Sequence, residues 1–222
     1  MQHPLLERWH TLLQHIEKAR YGSLLAPARI TLVAVSKAHP PEALIPLLEA
    51  GQHCFGENRV QEAAQKWPDL RKRFPNVILH LIGPLQSNKV KEALALFDVI
   101  ETIDRESLVD EIASERTKAT GRCTEFFIQV NTGEEPQKSG VAPRDLGDLL
   151  EHCRKARLPV TGLMCVPPVG TEPGQHFALL NMLAKMHGLT QLSMGMSGDF
   201  ETAIRLGATH VRIGTALFGK RQ

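Results

Sequence analysis

The chain has 222 residues, 42% hydrophobic and 23% charged, with a formal net charge of +2. That is an ordinary globular composition, long enough for a sizeable core. So even a balance argues against nucleic-acid or membrane partners, and no apolar run approaches the roughly 20 residues that a spanning helix needs.

The first element is an amphipathic helix over residues 3–20, with Leu5, Leu6, Trp9, Leu12, Leu13 and Ile16 at three- and four-residue spacings. Glu7 and Arg8 interrupt it where a secretory signal would be apolar. The expected location is therefore the cytoplasm. The four cysteines, Cys54, Cys123, Cys153 and Cys165, form no C-x-x-C pair and read as reduced thiols.

Eight short apolar or β-branched runs then alternate with helical segments. The strands are expected at Ile30–Val35, His53–Phe55, Val77–Ile82, Asp98–Thr102, Glu125–Asn131, Val160–Met164, Thr190–Ser193 and His210–Ile213. Between them, helices are expected at Pro41–Ala50, Asn58–Lys72, Ser87–Leu96, Arg105–Ala119, Pro143–Arg157, Gly174–His187 and Asp199–Leu206, with a last turn at Ala216–Phe218. Pro143 suits a first helical position; Gly51 and Gly207 suit helix ends. The repeat of about 26 residues fits one strand, one helix and two loops. The expected architecture is α/β: one closed (β/α)₈ TIM barrel spanning residues 1–222, with an extra N-terminal helix. The alternative, an open doubly wound sheet, would usually carry a glycine-rich fingerprint after its first strand. Here that strand runs into Ser36-Lys37-Ala38-His39-Pro40, without glycine.

Function in such barrels gathers at the C-terminal ends of the strands. The first strand ends at Lys37, which parity places with Val33 and Val35 on one face, toward the barrel mouth. The plain alternative is a lysine whose stem packs while its head reaches water. The last two ends, "GMSGD" and "RIGTALFG", put Ser197, Gly198, Gly214 and Thr215 at helix starts. Such starts offer free N–H groups to a phosphate, or are simply capped by Ser197 and Thr215. An amine and a phosphate site at one mouth suggest a phosphorylated aldehyde or ketone. Arg212 lies on the face of His210 and needs a partner, either a ligand or a carboxylate such as Asp104 or Glu57. No zinc-protease, nucleophile-elbow or Walker motif is present.

"AVSK" at 34–37, "FGENRVQEAAQK" at 55–66, "HLIGPLQSNK" at 80–89, "QVNTGEEPQKSGV" at 129–141, "GLMCVPP" at 162–168 and "LSMGMSGDFETAIRLGATHVRIGTALFG" at 192–219 resemble the YggS/PROSC family of pyridoxal 5′-phosphate homeostasis proteins. The likeness is collinear over nearly the whole chain. It implies a barrel like the N-terminal domain of alanine racemase, of the fold-type III PLP-dependent kind. It implies pyridoxal phosphate (PLP) as cofactor, held as an aldimine on Lys37, with Ser197, Gly214 and Thr215 on the phosphate. By the same resemblance Arg212 faces the pyridine nitrogen, Asn58 and Met194 line the pocket, and Lys138 matches a lysine of the strand-five loop. Leu79, Leu81 and His39 depart from the family pattern.

The implied role is non-catalytic intracellular homeostasis of PLP (vitamin B6) and amino acids, by a monomer or weak dimer with PLP-dependent apoenzymes as recipients. A racemase or decarboxylase of the alanine-racemase type is the alternative. Against it, such racemases use a tyrosine from a second domain, and the one tyrosine here is Tyr21. A barrel for an unrelated sugar phosphate is a third option.

Overall fold

The computed structural model describes residues 3–118 and 121–219. Helix α1 (Pro4–Tyr21) precedes eight strands, each followed by a helix. These are β1 (Thr31–Val35), α2 (Pro41–Glu49), β2 (Cys54–Glu57), α3 (Val60–Arg73), β3 (Ile78–Leu81), α4 (Val90–Leu96), β4 (Val99–Ile103) and α5 (Glu106–Lys118). Then come β5 (Glu125–Gln129), α6 (Leu146–Lys155), β6 (Val160–Met164), α7 (Pro173–Met186), β7 (Gln191–Ser193), α8 (Phe200–Arg205), β8 (His210–Ile213) and α9 (Thr215–Phe218). The strands pair in chain order and all in parallel. β8 closes on β1 with Thr31 opposite His210 and Val33 opposite Arg212. The architecture is the expected eight-stranded barrel with its extra helix.

Alternation along the strands sorts the side chains into two regions. Residues facing out, such as Leu32, Ala34, Phe55, Leu79, Leu81, Ile100, Leu163, Val211 and Ile213, pack under the helices in one continuous core. A second, small cluster of Val99, Phe127 and Met164 fills part of the barrel interior. Helix α1 buries Leu5, Trp9, Leu12 and Ile16. The Trp9 indole donates to Gln52 Oε1 at 3.0 Å, and Gln52 in turn donates to the carbonyls of Leu32 and Cys54, so α1 is tied to the start of the barrel.

Several boundaries differ from the sequence expectation. β2 runs on through Glu57, because that carboxylate is bonded beneath α3 rather than projecting from a loop. β5 stops at Gln129, where Val130 turns to bridge Val141. The helices expected at Ser87 and Pro143 open with one 3₁₀ turn each, Ser87–Lys89 and Pro143–Asp145. The expected end of α5 at Ala119 lies outside the described residues. No described helix is long and apolar enough to cross a membrane, and all four cysteines are buried and free.

Candidate functional site

Beyond β1 the chain keeps its alternation for two residues. Ser36 is fully buried and donates outward to Glu57 Oε1 at 2.7 Å. Lys37 therefore faces the other way. It lines a cavity of about 430 Å³ at the C-terminal ends of the strands, within the usual range for small-molecule sites. The other walls are Val35, Asn58, Ile82, Val166, Met196, Ser197, Gly198, Arg212, Gly214 and Thr215. Among the described residues, two cations, two hydroxyls and glycine-rich backbone line it, and no carboxylate does. Its chemistry suits an anion joined to a flat, largely apolar group that Val35, Ile82, Val166 and Met196 can sandwich.

The loops after β7 and β8 do not cap themselves. Ser197 Oγ accepts from the N–H of Ala216 at 3.2 Å, so a hydroxyl from one loop satisfies the first turn of α9 in the next. Gly214 and Thr215 begin that turn. The same three residues thus present N–H and O–H donors around one spot, as an oxyanion requires. His39, close after Lys37, stacks on Phe218 of α9 with ring centroids 4.4 Å apart.

Six of the seven expected residues, Lys37, Asn58, Ser197, Arg212, Gly214 and Thr215, line this cavity. Met194 does not: it is fully buried in the core outside the barrel. Ser193 faces inward, so its successor faces outward. Gly195, at φ +91°, then turns the chain and brings Met196 to the cavity wall. A Cβ at position 195 would lie 2.6 Å from that of Ala203, so the turn needs glycine. Asn58 is held close by Gly83, where a Cβ would fall 2.2 Å from the Asn58 carbonyl oxygen. Lys138 lines an adjoining hollow that shares Asn58, Ile82 and Val166, and its amine is 2.5 Å from Glu135 Oε2. A larger groove of about 730 Å³ lies alongside, between Arg59, Gln65, Gln86 and Lys89.

Arg212 has a different partner from those considered in the sequence. Glu57 points outward to α3, and Asp104 pairs with Arg105. The carboxylate is Glu101, two residues after the inward-facing Val99. Arg212 Nη1 donates to Ser193 Oγ at 2.7 Å, and Nη2 donates to the Cys165 carbonyl at 2.8 Å. Ser193 Oγ donates to Glu101 Oε2 at 2.5 Å, which lies 3.9 Å from Nη1. The other oxygen, Glu101 Oε1, is 2.6 Å from His80 Nδ1. Burial alone would lower the His80 pKa; the Cys54 sulfur and the Glu101 carboxylate outweigh it and push it up to about 10. Burial would raise Glu101, yet His80 and Arg212 hold it at about 2. Burial and the charge on His80 push His210 down to about 4. At neutral pH one carboxylate thus serves two cations, His80 and Arg212, and Arg212 also lines the cavity.

Residues 14–222 match the family model for the alanine racemase N-terminal domain. The pyridoxal phosphate homeostasis protein of Vibrio cholerae is 41% identical over 217 residues, 93% of this chain and 92% of the relative. The chain belongs to the pyridoxal phosphate homeostasis protein family. PipY of Synechococcus elongatus, solved with PLP bound, is 34% identical, with a TM-score of 0.82 over 97% of this chain and all of that one. Alanine racemase of Clostridium difficile shares the fold at 13% identity and a TM-score of 0.73, over 97% of this chain and 57% of its own.

Proposed function

We propose that this protein binds pyridoxal 5′-phosphate in the 430 Å³ cavity and serves intracellular PLP and amino-acid homeostasis without turning over a substrate. The observation that carries the reading is one cavity joining an inward amine, Lys37, to a cluster of anion donors, with no carboxylate between them among the described residues. PLP-bound PipY and the homeostasis proteins at similar identity support it. Ser197, Gly214 and Thr215 would hold the phosphate, Arg212 the ring nitrogen, Asn58 and Met196 the ring edges, and Lys37 the aldehyde carbon through a reversible C=N bond. When bound, PLP supplies an aldehyde that amines can attack. Arg212 brings a donor without a transferable proton to the ring nitrogen. Val35, Ile82 and Val166 exclude water from the ring faces. PLP-dependent apoenzymes in the cytoplasm are the proposed recipients, and a monomer or weak dimer the proposed state.

The racemase alternative needs an acid or base on the face opposite the lysine. Tyr21 is 79% exposed at the end of α1 and does not line the cavity. The test is the absorption of protein incubated with PLP. A visible band abolished by borohydride, with the pyridoxyl group on Lys37 by mass spectrometry, is the expected result. No band, or an adduct mainly on Lys89 or Lys138, refutes the assignment, and tight binding of a sugar phosphate instead would favour the third option.

A further inference from the structure

A polar cluster, buried apart from the partly exposed Glu62, lies behind Lys37 and lines none of the cavity. Lys66 Nζ on α3 donates to the Ser36 carbonyl at 2.8 Å, to Glu57 Oε1 at 2.8 Å and to Glu62 Oε1 at 3.0 Å, so all its hydrogens are used. Ser36 Oγ also donates to Glu57 Oε1. The Ala38 N–H donates to Glu62 Oε1 at 2.5 Å. Lys66 is 6% exposed, and Glu57 and Ser36 are fully buried. Both chain neighbours of Lys37 are therefore tied to the outside of the barrel. Ala38 sits at φ +61°, a region that residues with a Cβ rarely enter.

We propose that Lys66, Glu57 and Glu62 are positioning residues for Lys37, holding the Ser36–Ala38 turn so that the amine faces the cavity. This rests on the reading of Lys37 as the attachment point. The alternation makes the device work: with Ser36 pinned outward, Lys37 must point inward. The left-handed Ala38 then ends the strand; Glu62 holds that residue there, and without the tether the turn after Lys37 samples negative φ and the amine is held less firmly toward the cavity. In the step served, Lys37 Nζ forms a C=N bond to the aldehyde carbon, and its two protons leave with the carbonyl oxygen as water.

The experiment uses the full chain, PLP as probe, and two measurements. One is the rate of borohydride-trapped labelling of Lys37, read by mass spectrometry. The other is amide hydrogen exchange over residues 36–39 in protein without PLP. Glu62→Ala should slow labelling roughly 10-fold, the equilibrium cost of left-handed alanine, and speed exchange of the Ala38 amide. Ala38→Gly in that background should restore most of the labelling rate, since glycine adopts the turn without help. Because Lys66→Met alone strands a buried carboxylate and could unfold the chain, it is paired with Glu57→Gln, and this double variant should also label slowly. Wild-type labelling rates and unchanged exchange in these variants would overturn the proposal. So would a Glu62→Ala loss that Ala38→Gly does not rescue, because that would be general damage. If the wild type is never labelled at Lys37 while exchange still responds to Glu62→Ala, the reading of the pocket fails and the proposal falls with it.

Discussion

Replacing Glu101 by Gln tests the charge arrangement inside the barrel. In the native state His80 sits fully enclosed with its pKa pushed up to about 10, and Glu101 is the carboxylate bonded to it. A raised histidine contributes stability that is fully present below its unfolded pKa of 6.5 and is lost as pH rises through about 10. The whole effect is on the order of 5 kcal/mol, and about 2 to 3 kcal/mol of it should disappear between pH 7 and 9. Glu101, depressed to about 2, works the other way: its contribution is present above 4.5 and is lost as pH falls through about 2. His210, held at about 4, costs stability as pH falls from 6.5 to 4, because the unfolded chain takes up that proton first. Glu101→Gln should be less stable overall by about 3–5 kcal/mol, since two buried cations lose their anion. The decisive reading is the slope. Urea unfolding at pH 6, 7.5 and 9 should show stability falling with pH in the wild type and nearly flat in the variant. An alkaline slope kept in Glu101→Gln but lost in Cys54→Ala would mean that the sulfur, not the carboxylate, holds the His80 proton.

Lys37→Ala should fold normally and lose the borohydride-reducible band; circular dichroism with mass spectrometry checks both. Ser197→Ala and Thr215→Ala should each weaken retention of PLP roughly 10- to 150-fold, the worth of one charge-assisted hydrogen bond at about 1.5–3 kcal/mol, while leaving the band in place. Dialysis against apoprotein measures that loss, and a double variant that retains PLP like the wild type would put the phosphate elsewhere. Protein loaded with PLP and mixed with alanine in deuterated water should change spectrum slowly without exchanging the α-hydrogen. Deuterium entering at an enzyme-like rate would restore the racemase reading.

Much of this was legible in the sequence because two periodicities carry it. Apolar runs alternating with helical segments give the barrel, and parity along β1 turns Lys37 inward. Parity also carries the position of Glu101. Glu101 stands two residues after Val99 in the apolar run "VIETI", and a carboxylate there can only face the barrel interior. Ser193 at the end of β7 is positioned likewise. Met194 was expected at the pocket from the resemblance alone; alternation after the inward-facing Ser193 points it outward, and the left-handed Gly195 brings Met196 to the wall instead. The Lys66 cluster was hidden for a different reason. Its members lie on the turn after β1, on β2 and on α3, and nothing local marks a lysine in "EAAQK" as buried.

The arrangement around Arg212 bears on the proposal that this barrel holds its cofactor without catalysis. A guanidinium held by Ser193 and the Cys165 carbonyl cannot swing away from the cavity, and its carboxylate is shared with His80. In the proposed pose it faces the ring nitrogen and would oppose a proton there, because two positive charges would meet. A ring kept neutral is a weak electron sink, so loss of an α-proton gains little help from it. Exchange of one amine for another does not draw on the ring in that way; it needs only an accessible carbon and mobile protons. On that proposed reading the interior charges favour loading and release over bond cleavage at the α-carbon. The Glu101→Gln variant should tilt that balance no further toward cleavage, because it removes the carboxylate that offsets Arg212.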